Sequence, residues 1–316
     1  MLHIITDEKY TLAGFILHPL HEEKEVNIIQ FSKKRKNFIE KAIRYFESKF
    51  FLVNGGLSLC EDTKMGLKKI SKNDSILFFD IDYMRDIQLI SQAIPKVKKK
   101  SIFLWNPLQT HDGKLSKLQR NLKVFKNLFD NVSTFDPVDA EKYNINLVAQ
   151  PFLEIDLNKS ERKIDIYFIG SDKGRLNKLI EIENMAKSQG LKCNFHITPS
   201  KRIDYSEEEK KYLKSFNISY PENIDIARDS KCLLEIVQEN QAGPTMRSME
   251  AAFLKCKLIT NRKSAKHDVF YHPNNTLIIE DGTSYDFKSF LESEYVNFEK
   301  EIKETHSIKK WWHQFN

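Results

Sequence analysis

The stretch from Ser230 to Asn261, SKCLLEIVQENQAGPTMRSMEAAFLKCKLITN, restricts the fold more than any other part of the chain. Cys232 to Val237 is a short apolar run, and Gln238 to Pro244 is a turn that holds Gly243, with no other glycine between Gly190 and Gly282. From Thr245 the apolar residues Met246, Met249, Phe253 and Leu254 recur at helical spacing, and Lys257 to Thr260 is a second strand-sized run. The unit reads as strand, glycine-containing loop, helix, strand. A helix that starts directly after such a loop aims its unpaired N–H groups and positive dipole end at the loop, so an anion there is stabilised. Thr245 has the side chain of an N-cap. Arg247 in the first turn opposes the dipole, which requires an anionic group beside it. Glu250 lies one turn further on the same face, within reach of a hydroxyl.

The same alternation runs through the rest of the sequence. Leu2 to Ile5, Val26 to Phe31, Phe50 to Val53, Ile76 to Phe79, Ile102 to Trp105, Val132 to Phe135 and Val148 to Phe152 read as strands. Helical spacing covers Asn37 to Glu47, Asp86 to Ala93 and Lys114 to Phe129. Such alternation predicts a parallel sheet with helices on both faces. The polar segment Glu154 to Lys163 reads as a linker, after which the pattern restarts. Ile164 to Ile169 is a strand, Gly170-Ser171-Asp172-Lys173-Gly174-Arg175 a loop, Leu176 to Ile182 the start of a helix and Lys192 to Ile197 the next strand. The loop lacks the third glycine of a dinucleotide fingerprint. Asn223 to Arg228 reads as a short helix, Leu277 to Ile279 as a last strand, Tyr285 to Leu291 as the start of a helix, and Glu299 to Phe315 as one terminal helix. The expected division is residues 1 to 153, a linker at 154 to 163, a second domain at 164 to 298 and a terminal helix at 299 to 316.

At 316 residues the chain exceeds a usual single domain, which agrees with two domains of roughly 150 residues. A 41% hydrophobic share is enough for two cores. No apolar run approaches the length of a membrane span, and the N-terminus lacks a basic segment followed by a long apolar one, so a cytoplasmic protein is expected. Cys60, Cys193, Cys232 and Cys256 show no paired spacing and read as buried free thiols. The net charge of +6 is concentrated in two blocks, Lys33-Lys34-Arg35-Lys36 and Lys96 with Lys98, Lys99 and Lys100. These blocks fit the anionic inner face of a plasma membrane, or else solvated surface. Neither sits in a recognition module for nucleic acid, so nucleic acid is not an expected partner.

The run QAGPTMRSMEAAFLKCKLITN resembles the donor-binding segment of bacterial lipopolysaccharide and capsule glycosyltransferases of the two-domain GT-B type. The resemblance continues in YFIGSDKGRLNKLIEIE and DVFYHPNNTLII, and more loosely in MLHIITDEKY and FDPVDAEKYNI. It implies two Rossmann-like doubly wound domains facing a cleft, the second binding a nucleotide-diphosphate sugar and the terminal helix returning to the first. It further implies a donor site of Gly170, Lys173, Arg175, Gly243, Thr245, Arg247 and Glu250, with Glu250 on the ribose hydroxyls. No cofactor or metal is expected, and the partners are the nucleotide sugar and a glycan or lipid-linked glycan acceptor. For an inverting reaction the general base belongs on the first domain, and Asp7 matches an Asp of the family's N-terminal segment. Glu239 with Glu250 imitates the paired Glu residues of retaining relatives, and His18, His21 and His111 are weaker candidates for the base.

Two other readings stay open on sequence. Ile76 to Asp82, ILFFDID, ends in an Asp-x-Asp that suits a metal-dependent GT-A-like transferase through Asp80 and Asp82, or a haloacid-dehalogenase-like phosphatase. The phosphatase pattern wants Thr or Val where this chain has Met84. Trp105-Asn106-Pro107 stands where relatives show a turn before an acidic residue, here Asp112. A catalytically silent homologue that scaffolds an assembly complex is the non-enzymatic reading.

Overall fold

The structure, a computed structural model, describes residues 1–7, 11–32, 59–81, 83–106, 108, 117–157, 161–201, 203–237 and 243–316. The expected helix at 37–47, the strand at 50–53 and the Lys33 to Lys36 block lie outside these. The chain divides into two compact units, Met1–Pro151 with His306–Asn316, and Phe152–Thr305.

The first unit is built on a parallel sheet of six described strands: β1 (Leu2–Asp7), β2 (Val26–Phe31), β3 (Ser75–Phe79), β4 (Lys99–Leu104), β5 (Asn131–Thr134) and β6 (Asn146–Leu147), in the order β2-β1-β3-β4-β5-β6. Every residue of β3 is buried, as a central strand covered on both faces requires. Its two faces are distinct. Ile76 and Phe78 join a cluster with Ile87, Ile102, Phe125 and Phe129. On the other face Phe79 and Phe103 receive Trp311, with ring centroids 5.7 and 5.1 Å away.

Two elements of this unit differ from the sequence expectation. Val148 to Phe152 is not a strand, and β6 is only Asn146–Leu147, paired with Ser133 and Thr134. The physical reason is competition for its carbonyls, because Ala149 O accepts from Trp311 Nε1 and Gln150 O accepts 2.8 Å away from His306 Nδ1. Pro151 also has no N–H to give. The expected terminal helix is broken into Lys300–His306, Ile308–Trp311 and a 3-10 turn at Trp312–Phe315. The short helices Thr11–Leu17, Glu61–Lys68 and Pro137–Tyr143 escaped the periodicity. The last has a clear start: Asp136 accepts from Val138 N and Asp139 N at 2.9 and 3.2 Å, and Pro137 needs no partner for the N–H it lacks.

The second unit repeats the plan with β7 (Ile164–Ser171), β8 (Cys193–Thr198), β9 (Ser230–Glu235), β10 (Lys257–Thr260) and β11 (Thr276–Ile278), all parallel, in the order β11-β10-β9-β7-β8. Side chains alternate strictly. Ile166, Phe168, Cys232 and Leu234 pack with Leu179, Ile182 and Phe195 of one layer, while Tyr167, Leu233 and Leu258 pack with Ala227, Ala251 and Leu254 of the other. Helices on both faces explain why the strands are apolar at nearly every position. All four cysteines are free thiols, as the sequence implied; Cys232 and Cys256 are buried, whereas Cys60 and Cys193, expected to be buried too, are half-buried.

Candidate active site

In the second unit the chain leaves β7 for β8 on one side and then crosses back to β9 on the other, so the strand order reverses between β7 and β9. Open parallel sheets bind ligands at the carboxyl ends of the strands at such a reversal. A crevice of about 190 Å³ lies there, lined among the described residues by Lys173, Arg175, Thr245, Met246 and Arg247 over Phe168, Glu235 and Ile236. The structure thus brings together four of the seven expected donor-site residues. Gly170, Gly243 and Glu250 do not line it.

The first wall is the loop after β7. Lys173 (φ 49°) and Gly174 (φ 83°) are consecutive left-handed residues that fold the loop back, and Lys173 N donates to Ser200 Oγ at 2.8 Å. Asp172, buried, holds the start of the Leu176–Ser188 helix by accepting from Arg175 N at 2.8 Å and Leu176 N at 2.6 Å. Its other oxygen accepts from Tyr205 Oη at 2.8 Å. Arg175 turns its guanidinium across the strand ends, donating to Ser171 O at 3.0 Å, Asp172 O at 3.2 Å and Ile236 O, and lies over the Phe168 ring at 5.3 Å. Arg175 therefore ties β7 to the end of β9. Gly170 has a specific part in this, because a Cβ there would meet Arg175 Nη2 at 3.0 Å. Burial, and then the neighbouring Arg175 charge, draw the Lys173 ammonium below the usual lysine pKa.

The second wall is the amino end of the Met246–Phe253 helix. Thr245 is its N-cap, accepting from Arg247 N at 3.0 Å. The single Thr245 proton goes to Glu235 Oε1, so this hydroxyl has none left to give a ligand. Glu235 ends β9 and is 4% exposed, a carboxylate that the apolar run CLLE gave no reason to single out. It also accepts from Ser248 Oγ at 2.8 Å, Thr260 Oγ1 at 2.5 Å and Arg262 Nε at 3.3 Å. Burial alone would raise its pKa, but the Arg262 charge and the three hydroxyls outweigh burial and hold it below the usual glutamate value. Arg262, 2% exposed, reaches Asp268 through both terminal nitrogens at 2.9 and 2.5 Å. For Asp268 burial wins over these bonds and its pKa is raised.

Arg247 forms an ion pair with Glu250, three residues on, which supplies the anion its position in the helix requires. Glu250 is 1% exposed and also accepts from Tyr220 Oη at 2.8 Å and Asn223 Nδ2 at 3.2 Å. Its Oε2, beside the Arg247 guanidinium, has no hydrogen-bond partner among the described residues, and the resemblance places ribose hydroxyls at this carboxylate. Tyr167, Tyr220, Asn223, Glu235 and Arg262 were not singled out in the sequence. Apart from Asp268, six residues after Arg262, and Ser264, two after it, the partners of their side chains lie 10 or more residues away, and no local spacing marks them.

In the first unit the corresponding reversal lies between β1 and β3. Asp7 is the last residue of β1, in register with Phe31 of β2, so it closes the strand where the sequence reading placed it just beyond. Ile5 pairs with Phe78, and Asp7 and Asp80 each lie two residues further along. Asp80 has φ 57°, a left-handed turn out of β3. Asp82, His111, Asp112 and Glu239 are outside the described residues. His18 and His21 stand edge to face at 5.9 Å on the surface of a 3-10 turn. At the opposite end of this sheet Lys96, Lys98 and Lys100 line a groove of about 330 Å³ together with Asp130. Lys100 N donates to Asp130 Oδ2 at 2.7 Å, and its ammonium lies over Phe129 at 5.2 Å. Among the described residues no helix is long and apolar enough to cross a membrane.

No protein-family profile and no curated protein matches the sequence. Solved structures do match the fold. An α,α-trehalose-phosphate synthase (UDP-forming) from Burkholderia vietnamiensis superposes over 92% of this chain and 90% of its own, with a TM-score of 0.50 and 11% identity. The fold is GT-B. A kitacinnamycin glycotransferase (TM-score 0.39, 9% identity, 92% and 89% covered) and an α1,3-fucosyltransferase (0.36, 11%, 99% and 80%) match more distantly. Two parallel α/β sheets, each with its own reversal, define the GT-B fold here. The GT-A alternative loses its footing, since the second half of the chain is a complete doubly wound unit.

Proposed function

We propose that this protein is a glycosyltransferase that moves a sugar from a nucleotide-diphosphate donor to a lipopolysaccharide, capsule or related glycan acceptor. The observation that carries the reading is the convergence of Lys173, Arg175 and Arg247 on one crevice, beside the amino end of a helix, at the β7/β9 reversal. Three cations, two of them arginines held by protein groups, and a helix dipole suit a diphosphate. In the proposed reaction the acceptor oxygen attacks the anomeric carbon as the bond from that carbon to the diphosphate oxygen breaks. Configuration inverts, and the departing diphosphate takes up the bonding pair. Lys173, Arg175 and Arg247 then face the charge that develops on it, the role a divalent metal has in other transferases, the two arginines with little reorganisation. Asp7 is the proposed base for the acceptor proton.

The expected acceptors, like the basic groove residues Lys96 and Lys98, fit a site of action at the anionic inner surface of a plasma membrane. Vesicles containing anionic lipid are expected to bring the protein down on centrifugation, and neutral vesicles to leave it in solution.

Calorimetry with UDP, GDP, CDP, ADP, TDP and CMP, with and without EDTA, tests the donor reading. One diphosphate is expected to bind with EDTA present and to lose affinity in Arg247→Ala and Lys173→Ala. Binding that requires metal, or no binding by any nucleotide, would overturn it, the latter in favour of a scaffold. Release of free sugar from the matching donor then separates an enzyme from a silent homologue.

A further inference from the structure

We infer that Tyr205 and Ser200, on the loop that follows β8, are positioning residues of the donor crevice, which hold the turn that places the Lys173 ammonium there. This rests on the donor reading above and adds two residues that act through Lys173.

The turn needs something to hold it. Lys173 has φ 49°, in the left-handed region that glycine enters freely and a lysine does not, and such a conformation persists only where its surroundings impose it. The turn also sets the Lys173 ammonium near the Arg175 guanidinium, and like charges repel. Among the described residues that ammonium has no hydrogen-bond or ion-pair partner of its own. The hold therefore comes from the backbone.

Three hydrogen bonds supply it. Lys173 N donates to Ser200 Oγ, Ser200 N donates to Tyr205 Oη, and Tyr205 Oη donates to Asp172 Oδ2, each at 2.8 Å. Asp172 is bonded covalently to Lys173, so the cycle is closed. A tyrosine hydroxyl at neutral pH has one proton to give and lone pairs to receive, which is what this place in the cycle requires. The other oxygen of Asp172, a buried residue, takes Arg175 N and Leu176 N at the start of the next helix. That helix is fixed to the core through Leu176, Leu179 and Ile182. The turn is thus locked to the β8 loop on one side and to a packed helix on the other.

Such a lock serves binding. The strain of the turn and the approach of two cations are met during folding, and an anion between Lys173 and Arg175 relieves the second of these. With the cation already in the crevice, a diphosphate need not order the loop as it binds, which lowers the cost of binding. Lys173 and Arg175 line the crevice, whereas Ser200 and Tyr205 do not.

The test is calorimetry on the full chain at two salt concentrations, with whichever of UDP, GDP, CDP, ADP and TDP binds best, in wild type, Tyr205→Phe, Lys173→Ala and the double variant. Tyr205→Phe removes only the hydroxyl. Affinity is expected to fall about fivefold, and its salt dependence to shrink toward that of Lys173→Ala, because a displaced ammonium no longer meets the phosphates. In the Lys173→Ala background the same substitution is expected to add little. An unchanged dissociation constant, with or without a lower melting temperature, would make Tyr205 purely structural and overturn the inference. A fivefold loss that persists in the Lys173→Ala background would show that Tyr205 acts by another route, and overturns it as well. Should Tyr205→Phe not fold, Ser200→Ala takes its place, with a loss of about threefold expected and the same two ways to fail. If no diphosphate binds the wild type, the donor reading fails and this inference with it, whereas wild-type binding that the variants leave intact defeats the inference alone.

Discussion

The two strand-order reversals share a topology and differ in chemistry. In each unit the first strand is flanked by the second on one side and the third on the other. At the β7/β9 reversal the strand ends carry Lys173, Arg175 and Arg247, tied to carbonyls and to Glu250. At the β1/β3 reversal they carry Asp7 and Asp80. Topology decides where a ligand can sit, and the few residues just past the strands decide what charge it meets. One end suits an anion, the other a hydroxyl that must lose a proton.

That contrast is sharpest if the two ends can be broken separately. Asp7→Asn is expected to lower transfer by about 10²- to 10⁴-fold, the usual weight of a general base, while the dissociation constant of the nucleotide stays where it was. A parallel loss of nucleotide binding would remove Asp7 from the base role. Next in size, Glu235→Gln takes the charge from beneath the helix that carries Arg247 and leaves the buried Arg262 with Asp268 alone. A loss of about 3 kcal/mol in urea unfolding is expected, at the low end for a broken buried pair because Asp268 remains. Lys173→Ala is milder. Nucleotide affinity is expected to fall about tenfold and to depend less on salt, with the melting temperature unchanged, because the side chain lines the crevice, partly desolvated, and is no part of the core.

The smallest effect belongs to pH and to the first unit. Burial holds the His306 imidazole below its ordinary value of 6.5, despite the bond to Gln150 O. The unfolded chain therefore binds the proton more readily than the folded one. Stability from this group is complete above pH 6.5 and declines as pH falls through the lower folded value. Urea midpoints in mildly acidic buffer are expected to show that decline in wild type and to lack it in His306→Gln.

Much of this was visible in the sequence, for identifiable reasons. The central strands are buried on both faces, so they appear as unbroken apolar runs, and β2 and β10 coincide with Val26 to Phe31 and Lys257 to Thr260. Thr245 capped its helix as its hydroxyl and position implied. Arg247 was conspicuous because a cation there needs an anion, although the anion proved to be Glu250. What the sequence concealed were partnerships across the fold. Glu235 is an acid at the end of an apolar run until the hydroxyls of Thr245, Ser248 and Thr260 are brought to it. Likewise, nothing near Val148 to Phe152 reveals that its carbonyls are claimed by Trp311 and His306.

Those last contacts bear on the order in which the protein is made. The first unit includes His306–Asn316, whereas the second is one uninterrupted length, Phe152–Thr305. On the ribosome the second unit has all its residues available before the first does. Phe79 and Phe103 wait for Trp311, which follows the whole of the second unit along the chain. The amino-terminal half of the chain is thus the later of the two to mature, and until it does its uncovered aromatic face is the surface for a chaperone to shield.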